Sequence, residues 1–419
     1  FPHCSRPAGS GGIAEVPGEL ILDAEELLDP QAAIAKICDY NAARIGRPGV
    51  NRFQASNILE RLLRSVGFVT KIGVRLLQDA SQMVRATEMQ LEVLEDLQLN
   101  PRTAVMGYAG TGKTIIATEF AKRRAEQGKK VLLLFYNRMV ANTVRYGLGR
   151  DSDINCTTFH SFARHEIESV DPEWWSDHRG DRDQDFWEND VPLKMLEVLE
   201  GYPPRYGTII IDEGQDFRAE WIETLERLLI PDDDSRFVVL YDANQDIFGR
   251  WGDLPWTPGT FTRKQLRKNC RNTKAIVNHL KQLVPSDMVA FERSPEGVPV
   301  VFEASYTVEG LATKVRQRLQ ELLKDGVPPG QIVIIIDTPL KESSVSDIDR
   351  IGRVEVGWMG RSYRSDSRNV QVCSIDSFKG LEADVVLQVQ TKSEGRERDY
   401  TAASRARLSL HVFEIQPEP

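Results

Sequence analysis

The stretch Gly-Tyr-Ala-Gly-Thr-Gly-Lys-Thr, Gly107 to Thr114, strips side-chain bulk from three positions and ends on a cation and a hydroxyl. Its spacing is G-x-x-x-x-G-K-[ST], in which bare amides wrap phosphate oxygens, the lysine neutralises them and the hydroxyl ligates Mg2+. By that chemistry Gly107, Gly110, Thr111, Gly112, Lys113 and Thr114 form a phosphate cradle, with Thr114 also on the metal. Such a loop needs acids on a partner strand, and IIIDEGQDF, Ile209 to Phe217, supplies them. Asp212 is expected to hold Mg2+ and Glu213 to act as general base on the attacking water. Both sit at the C-terminal end of a buried strand, where open α/β sheets bind their ligands.

Strands and helices must hold these groups. TAVM, Thr103 to Met106, reads as a short strand, and KTIIATEFAKRRAEQG as a helix closing at Gly128. The N-terminus of that helix adds its own positive partial charge to the loop. KVLLLFY, GTIIIDE and FVVLYD continue the first series of buried parallel strands. A second series follows Phe261, with VPVVFEA, the helix TVEGLATKVRQRLQELLKDG, then QIVIIID, NVQVCSI, DVVLQVQ and LSLHVFEI. The fold class expected is therefore α/β, as two lobes over 87–262 and 263–419 behind a small helical region, 1–86. An acidic insertion interrupts the first lobe at about 165–205. Its centre, DPEWWSDHRGDRDQDFWEND, Asp171 to Asp190, holds eight carboxylates and three tryptophans and reads as an irregular, solvated excursion with its aromatics anchored on the lobe, or else as a docking surface or gate; its charge would repel a phosphate backbone.

The 419 residues suffice for two or three ordinary cores. Five cysteines lie far apart, with no CxxC pair or nearby histidine cluster, a pattern against structural zinc and a disulfide framework and for a reducing cytoplasm. No apolar run approaches the ~20 residues of a membrane span, and no signal peptide is visible. A start at Phe1 instead of Met reads as a trimmed product. The net charge of -9 speaks only weakly against a nucleic-acid partner, because a local groove sets that affinity. Basic residues cluster in FTRKQLRKNCRNTK, Phe261 to Lys274, and GRSYRSDSRN, Gly360 to Asn369.

DEGQD beside GYAGTGKT resembles the superfamily 1 helicases of the UvrD/Rep type, and further matches come in that family's order from about 87 to 415. The resemblance implies two RecA-like P-loop NTPase lobes with ATP and Mg2+ between them. FYNRMVA and TTFHSFARH resemble the two segments that touch single strands, which implies DNA contacts for Asn137, Thr158 and His160. LYDANQDIF is similar to the γ-phosphate sensor, with Gln245. LRKNCRNTK and YTAASRARLSLHVF resemble the arginine-finger motifs, with Arg271 and Arg405. SIDSFKGLEADVV resembles the Lys-Gly-Leu-Glu motif, implying DNA contact for Lys379 and a place near the ribose for Glu382. Gln90, 23 residues before Lys113, stands like the glutamine that reads adenine.

Departures qualify that resemblance. Cys270 replaces the tyrosine that usually stacks on adenine, so purine selectivity is open. Arg250 falls where a base-stacking tryptophan is usual, leaving Phe248 or Trp251 for the role. The large insertions of UvrD-type enzymes are reduced or missing, so duplex unwinding by this chain alone is open. The resemblance implies a 3′-to-5′ single-stranded DNA translocase, with RNA as an open alternative polymer. DEGQDF, YDANQ and NCRNTK look closest to helicases fused behind nuclease-related (NERD) domains, which implies a nuclease domain or subunit as partner. A different class also fits: a nucleotide-gated DNA-sensing module that regulates a nuclease or defence complex without directed motion.

Overall fold

The computed structural model describes residues 88–148, 153–178, 185–245, 260–338, 345–360, 363–391 and 395–416, with isolated positions 36, 183 and 343. The chain divides into compact units 1–70 and 71–419, and both sheets belong to the second. Apart from position 36, the helical region expected over 1–86 lies outside the described residues, as do Phe248 and Trp251.

The first sheet is built from β1 (Arg102–Gly107), β2 (Val131–Phe135), β3 (Ile154–Thr158), β4 (Thr208–Ile211), β5 (Arg236–Tyr241) and β6 (Thr262–Leu266). Its order is β3-β2-β4-β5-β1-β6, and every pairing is parallel. Helices cover both faces: α1 (Glu88–Leu99), α2 (Lys113–Glu126), α3 (Arg138–Leu148), α4 (Phe159–Val170), α5 (Pro172–Asp177), α6 (Val191–Leu199) and α7 (Ala219–Glu226). Successive side chains of a strand point to opposite faces, so VLLLF in β2 sends Leu132 and Leu134 into one core and Leu133 and Phe135 into the other. Parallel register brings the C-terminal ends of β1, β5 and β4 side by side. Gly107, Asp242 and Asp212 stand at or just beyond those ends. The pairing of Thr103 with Thr262 adds β6 as the edge strand, so the first sheet runs to Leu266, beyond the boundary read at 262.

After the short pair β7 (Lys268–Asn269) and β8 (Val289–Ala290), which flanks α8 (Lys274–Leu283), comes the second lobe. It comprises β9 (Val301–Ser305), α9 (Val308–Lys324), β10 (Ile332–Ile336), β11 (Arg350–Ile351), β12 (Val354–Trp358), β13 (Val370–Ser374), α10 (Ile375–Phe378), β14 (Ala383–Gln390), α11 (Arg396–Ala403) and β15 (Ala406–Ile415). The sheet order is β11-β12-β13-β10-β14-β15-β9, parallel except for the β11–β12 pair. The chain thus has two α/β lobes, one around an all-parallel sheet and one around a largely parallel sheet. Among the described residues no helix is long and apolar enough to cross a membrane.

The acidic insertion departs from the irregular excursion expected. Asp171 accepts the Trp174 amide and Pro172 opens α5, while Asp183 accepts the Phe186 amide at the start of a π turn, Phe186–Asp190, that runs into α6. Several of its acids therefore serve as caps or ion-pair partners. Lys194 Nζ sits 2.8 Å from Asp171, and Arg218 pairs with Glu188. The aromatic rings of Trp174, Trp175, Phe186 and Trp187 pack together, and Trp187 reaches His160 with ring centroids 4.8 Å apart.

Candidate active site and adjoining groove

β1 ends on Gly107 and α2 begins on Lys113, so the intervening loop turns within five residues. Gly110 and Gly112 have φ of 75° and 88°, a left-handed backbone that side chains resist. Space is short as well: a Cβ on Gly112 would stand 2.2 Å from Gln90 Nε2. Thr111 closes the turn, its hydroxyl donating to the Tyr108 carbonyl at 2.8 Å. Gln90 Nε2 donates to the Thr111 carbonyl at 2.8 Å, so the glutamine expected on adenine braces the loop here. Lys113 Nζ donates to the carbonyls of Gly107 at 2.8 Å and Tyr108 at 3.3 Å, and lies 3.9 Å from Asp242.

The acids meet this loop from β4. Thr114 Oγ1 donates to Asp212 Oδ2 at 2.6 Å, which brings together the two oxygens expected on Mg2+. Glu213 has φ 55°, the one positive value outside glycine among the described residues. Such a conformation costs about 1–3 kcal/mol and persists where its surroundings over-determine it. Gln215 supplies part of that restraint, donating Nε2 to Glu213 Oε2 at 2.6 Å while its Oε1 accepts the Asp242 amide at 3.0 Å. Burial and the Glu213 charge push the Asp212 carboxyl up, against the Thr114 hydrogen bond and Lys113. For Glu213 burial acts in the same upward sense, but Lys113, Lys379 and Arg405 outweigh it and hold the carboxyl below its usual range.

The second lobe closes over these groups. Arg405 is fully buried, its Nη2 2.9 Å from Gln245 Oε1, and Gln245 Nε2 donates to Asp242 Oδ2 at 2.6 Å. Burial pulls the Arg405 pKa down to about 10, with Arg271 adding to the effect, and the group stays cationic at neutral pH. Arg271 Nε lies 2.6 Å from Glu382 Oε2, so the glutamate expected near the ribose is held here by the arginine expected as a finger. Gly110, Gly112, Lys113, Thr114, Glu213, Gln245, Arg271 and Arg405 all line one space of about 10 Å³. A triphosphate enters it only as side chains or lobes give way.

Several groups that shape this centre escape the sequence reading. Asn269 Nδ2 donates to the Ala109 carbonyl at 2.9 Å, while its Oδ1 accepts the amides of Arg271 and Asn272, fixing the turn that presents Arg271. The two asparagines bracketing Cys270–Arg271 were the available signal, since Asn side chains satisfy nearby backbone amides. Tyr400, on α11, accepts the Ala109 amide at 2.9 Å through its hydroxyl, which also lies 3.4 Å from Asp242. Tyr400→Phe keeps the ring but leaves a buried amide without that acceptor. A loss of about 1–3 kcal/mol in urea unfolding is expected, and an unchanged midpoint would deny the bond any weight.

Beside the acids an interlobe cleft of about 770 Å³ is lined by Asn137, Arg138, Asp212, Glu213, Asp216, Lys379 and others. It shares Tyr136, Arg138 and Asn142 with a second groove of about 900 Å³ on the first lobe. That groove gathers Arg138, Arg145 and Arg164 with His160, Trp175, Trp187 and Tyr136, and Thr158 lines it too. Thr158 is also the N-cap of α4, accepting the Ser161 amide. Asn137 Nδ2 donates to the carbonyls of Ser377 and Lys379, at 3.2 and 2.8 Å, and so links the lobes. Lys379, expected on DNA, is instead buried: its Nζ lies 2.6 Å from Asp216 Oδ1 and 2.8 Å from the Gln245 carbonyl. This placement has a simple cause, because the short helix α10 turns the side chain into the interlobe contact.

Residues 90–249 match a family described as AAA domain. No curated protein matches the chain. Among solved structures the chain is similar to one titled "The structure of PRRSV helicase", at 12% identity and a TM-score of 0.39. The match covers 78% of this chain and 55% of that one, so the chain spans about half the length of that structure.

Proposed function

We propose that the chain is an ATP- and Mg2+-dependent single-stranded DNA translocase or helicase of the UvrD/Rep type, moving 3′ to 5′, and that it acts in the cytoplasm alongside a nuclease domain of the NERD kind. One observation carries the reading: Arg271 and Arg405 meet the phosphate loop, Glu213 and Gln245 around a single space, next to a groove of arginines and aromatic rings. The donor set fits Mg2+ that arrives with a nucleotide. Thr114 and Asp212 offer two hard oxygens, and Mg2+ takes few protein ligands where phosphates and water complete the shell. Bound there, the ion would neutralise charge on the phosphate oxygens. Glu213 would take the proton of the attacking water, and Lys113, Arg271 and Arg405 would stabilise the charge that develops in the transition state. Because Arg405 comes from the second lobe, turnover requires the lobes to close.

In the groove, arginines suit a phosphate backbone and the rings of His160 and Trp187 suit stacked bases. Arg145→Ala is expected to weaken oligo-dT binding several-fold and to make the slope of log affinity against log salt shallower by about 0.7. Fluorescence anisotropy at several salt concentrations reads both, and an unchanged slope would move the strand elsewhere. Streptavidin displacement from end-labelled single strands tests the motor itself. ATP-dependent clearance from one end only supports a translocase; DNA-dependent turnover without clearance supports a nucleotide-gated sensor.

A further inference from the structure

We propose that Lys379 is a positioning residue for hydrolysis: from the second lobe it ties the turn carrying Glu213 to the segment carrying Gln245. The inference rests on the reading of Glu213 as general base. Its ammonium bonds two first-lobe segments at once, Asp216 Oδ1 at 2.6 Å and the Gln245 carbonyl at 2.8 Å. Asp216 closes the short turn Gly214–Asp216, and its amide donates back to the Glu213 carbonyl at 3.0 Å. Fixing Asp216 therefore fixes the far end of a turn whose first residue is held in a left-handed conformation. The second lobe's own segment is anchored in turn, since the Ser377 and Lys379 carbonyls accept from Asn137.

Stability is a poor explanation for such a pair. Both side chains are almost completely buried, at 4% and 1% exposure, and removing two charges from water tends to cancel the Coulombic gain. Geometry is the better one, because a displacement of 1 Å near the reacting atoms can lower a rate about 10²-fold. Lys379 is thereby withdrawn from the nucleic-acid interface. Its charge reaches no strand directly.

The test uses Lys379→Met, Asp216→Asn and the double variant in the full chain, with thermal melts to establish folding. Each single change is expected to lower kcat about 10²-fold, with the KM for ATP and the oligo-dT affinity within about threefold of the parent. The double variant leaves no buried charge stranded, and it is expected to stay about 10²-fold down instead of falling about 10⁴-fold. Recovery of the double variant to parental kcat would overturn the proposal, because the single defects would then come from a stranded charge. So would parental kcat in Lys379→Met with weakened oligo-dT binding, the signature of a DNA ligand. A parent without ATPase activity would overturn the functional reading and this inference together, whereas an active parent with an unaffected Lys379→Met overturns the inference alone.

Discussion

Arg405→Ala is expected to lower ATP turnover by roughly 10² to 10⁴ while nucleotide binding survives. The phosphate loop, Thr114 and Asp212 all belong to the first lobe, so removing a second-lobe cation leaves the cradle standing. Arg405 donates to neutral acceptors, the Thr401 and Leu381 carbonyls, the Ser404 hydroxyl and Gln245 Oε1. Its charge is therefore available to the space between the lobes. A surface arginine paired with a carboxylate would contribute about 0–1 kcal/mol of stability and nothing to turnover. Stopped-flow binding of a fluorescent ATP analogue, run beside steady-state hydrolysis, separates the two effects. Lys113→Ala should behave differently and weaken binding as well, because Lys113 would contact phosphate in the ground state.

Glu213→Gln is the second large effect. The substitution keeps the shape and the left-handed backbone but removes the proton acceptor, and loss of a general base lowers rates about 10²- to 10⁴-fold. Nucleotide affinity and oligo-dT affinity should remain within a few-fold of the parent. The pH dependence offers a further check. The carboxylate is held low by Lys113, Lys379 and Arg405, so it remains a base through the neutral range, and activity should not fall between pH 8 and 6 through its protonation. Parental turnover in Glu213→Gln would remove Glu213 from the chemistry.

Local sequence was a good guide where one segment does one job. The phosphate loop follows from glycines whose φ values no other residue adopts easily, and the strands follow from unbroken Val, Ile and Leu runs such as VLLLF. Sheet order was not legible, because nothing in FVVLYD states that β5 lies between β1 and β4. The same limit explains Lys379. The motif resemblance put Lys379 on DNA, and nothing within KGLEADVV announces that the fold brings Asp216, 163 positions away, to its Nζ. Tyr400 meets the Ala109 amide across 291 positions, and no periodicity within either segment announces it. The acidic insertion was legible in part: its tryptophans anchor on the first lobe as expected, but eight carboxylates suggested an irregular excursion where Asp171, Pro172 and Asp183 start helical turns.

The most direct test of the interlobe motor is steady-state ATP hydrolysis by the parent chain with Mg2+, measured with and without single-stranded DNA. The account predicts measurable turnover that rises at least several-fold with saturating DNA and vanishes in Glu213→Gln. Turnover that is absent under both conditions, or that ignores both the DNA and the substitution, would contradict it.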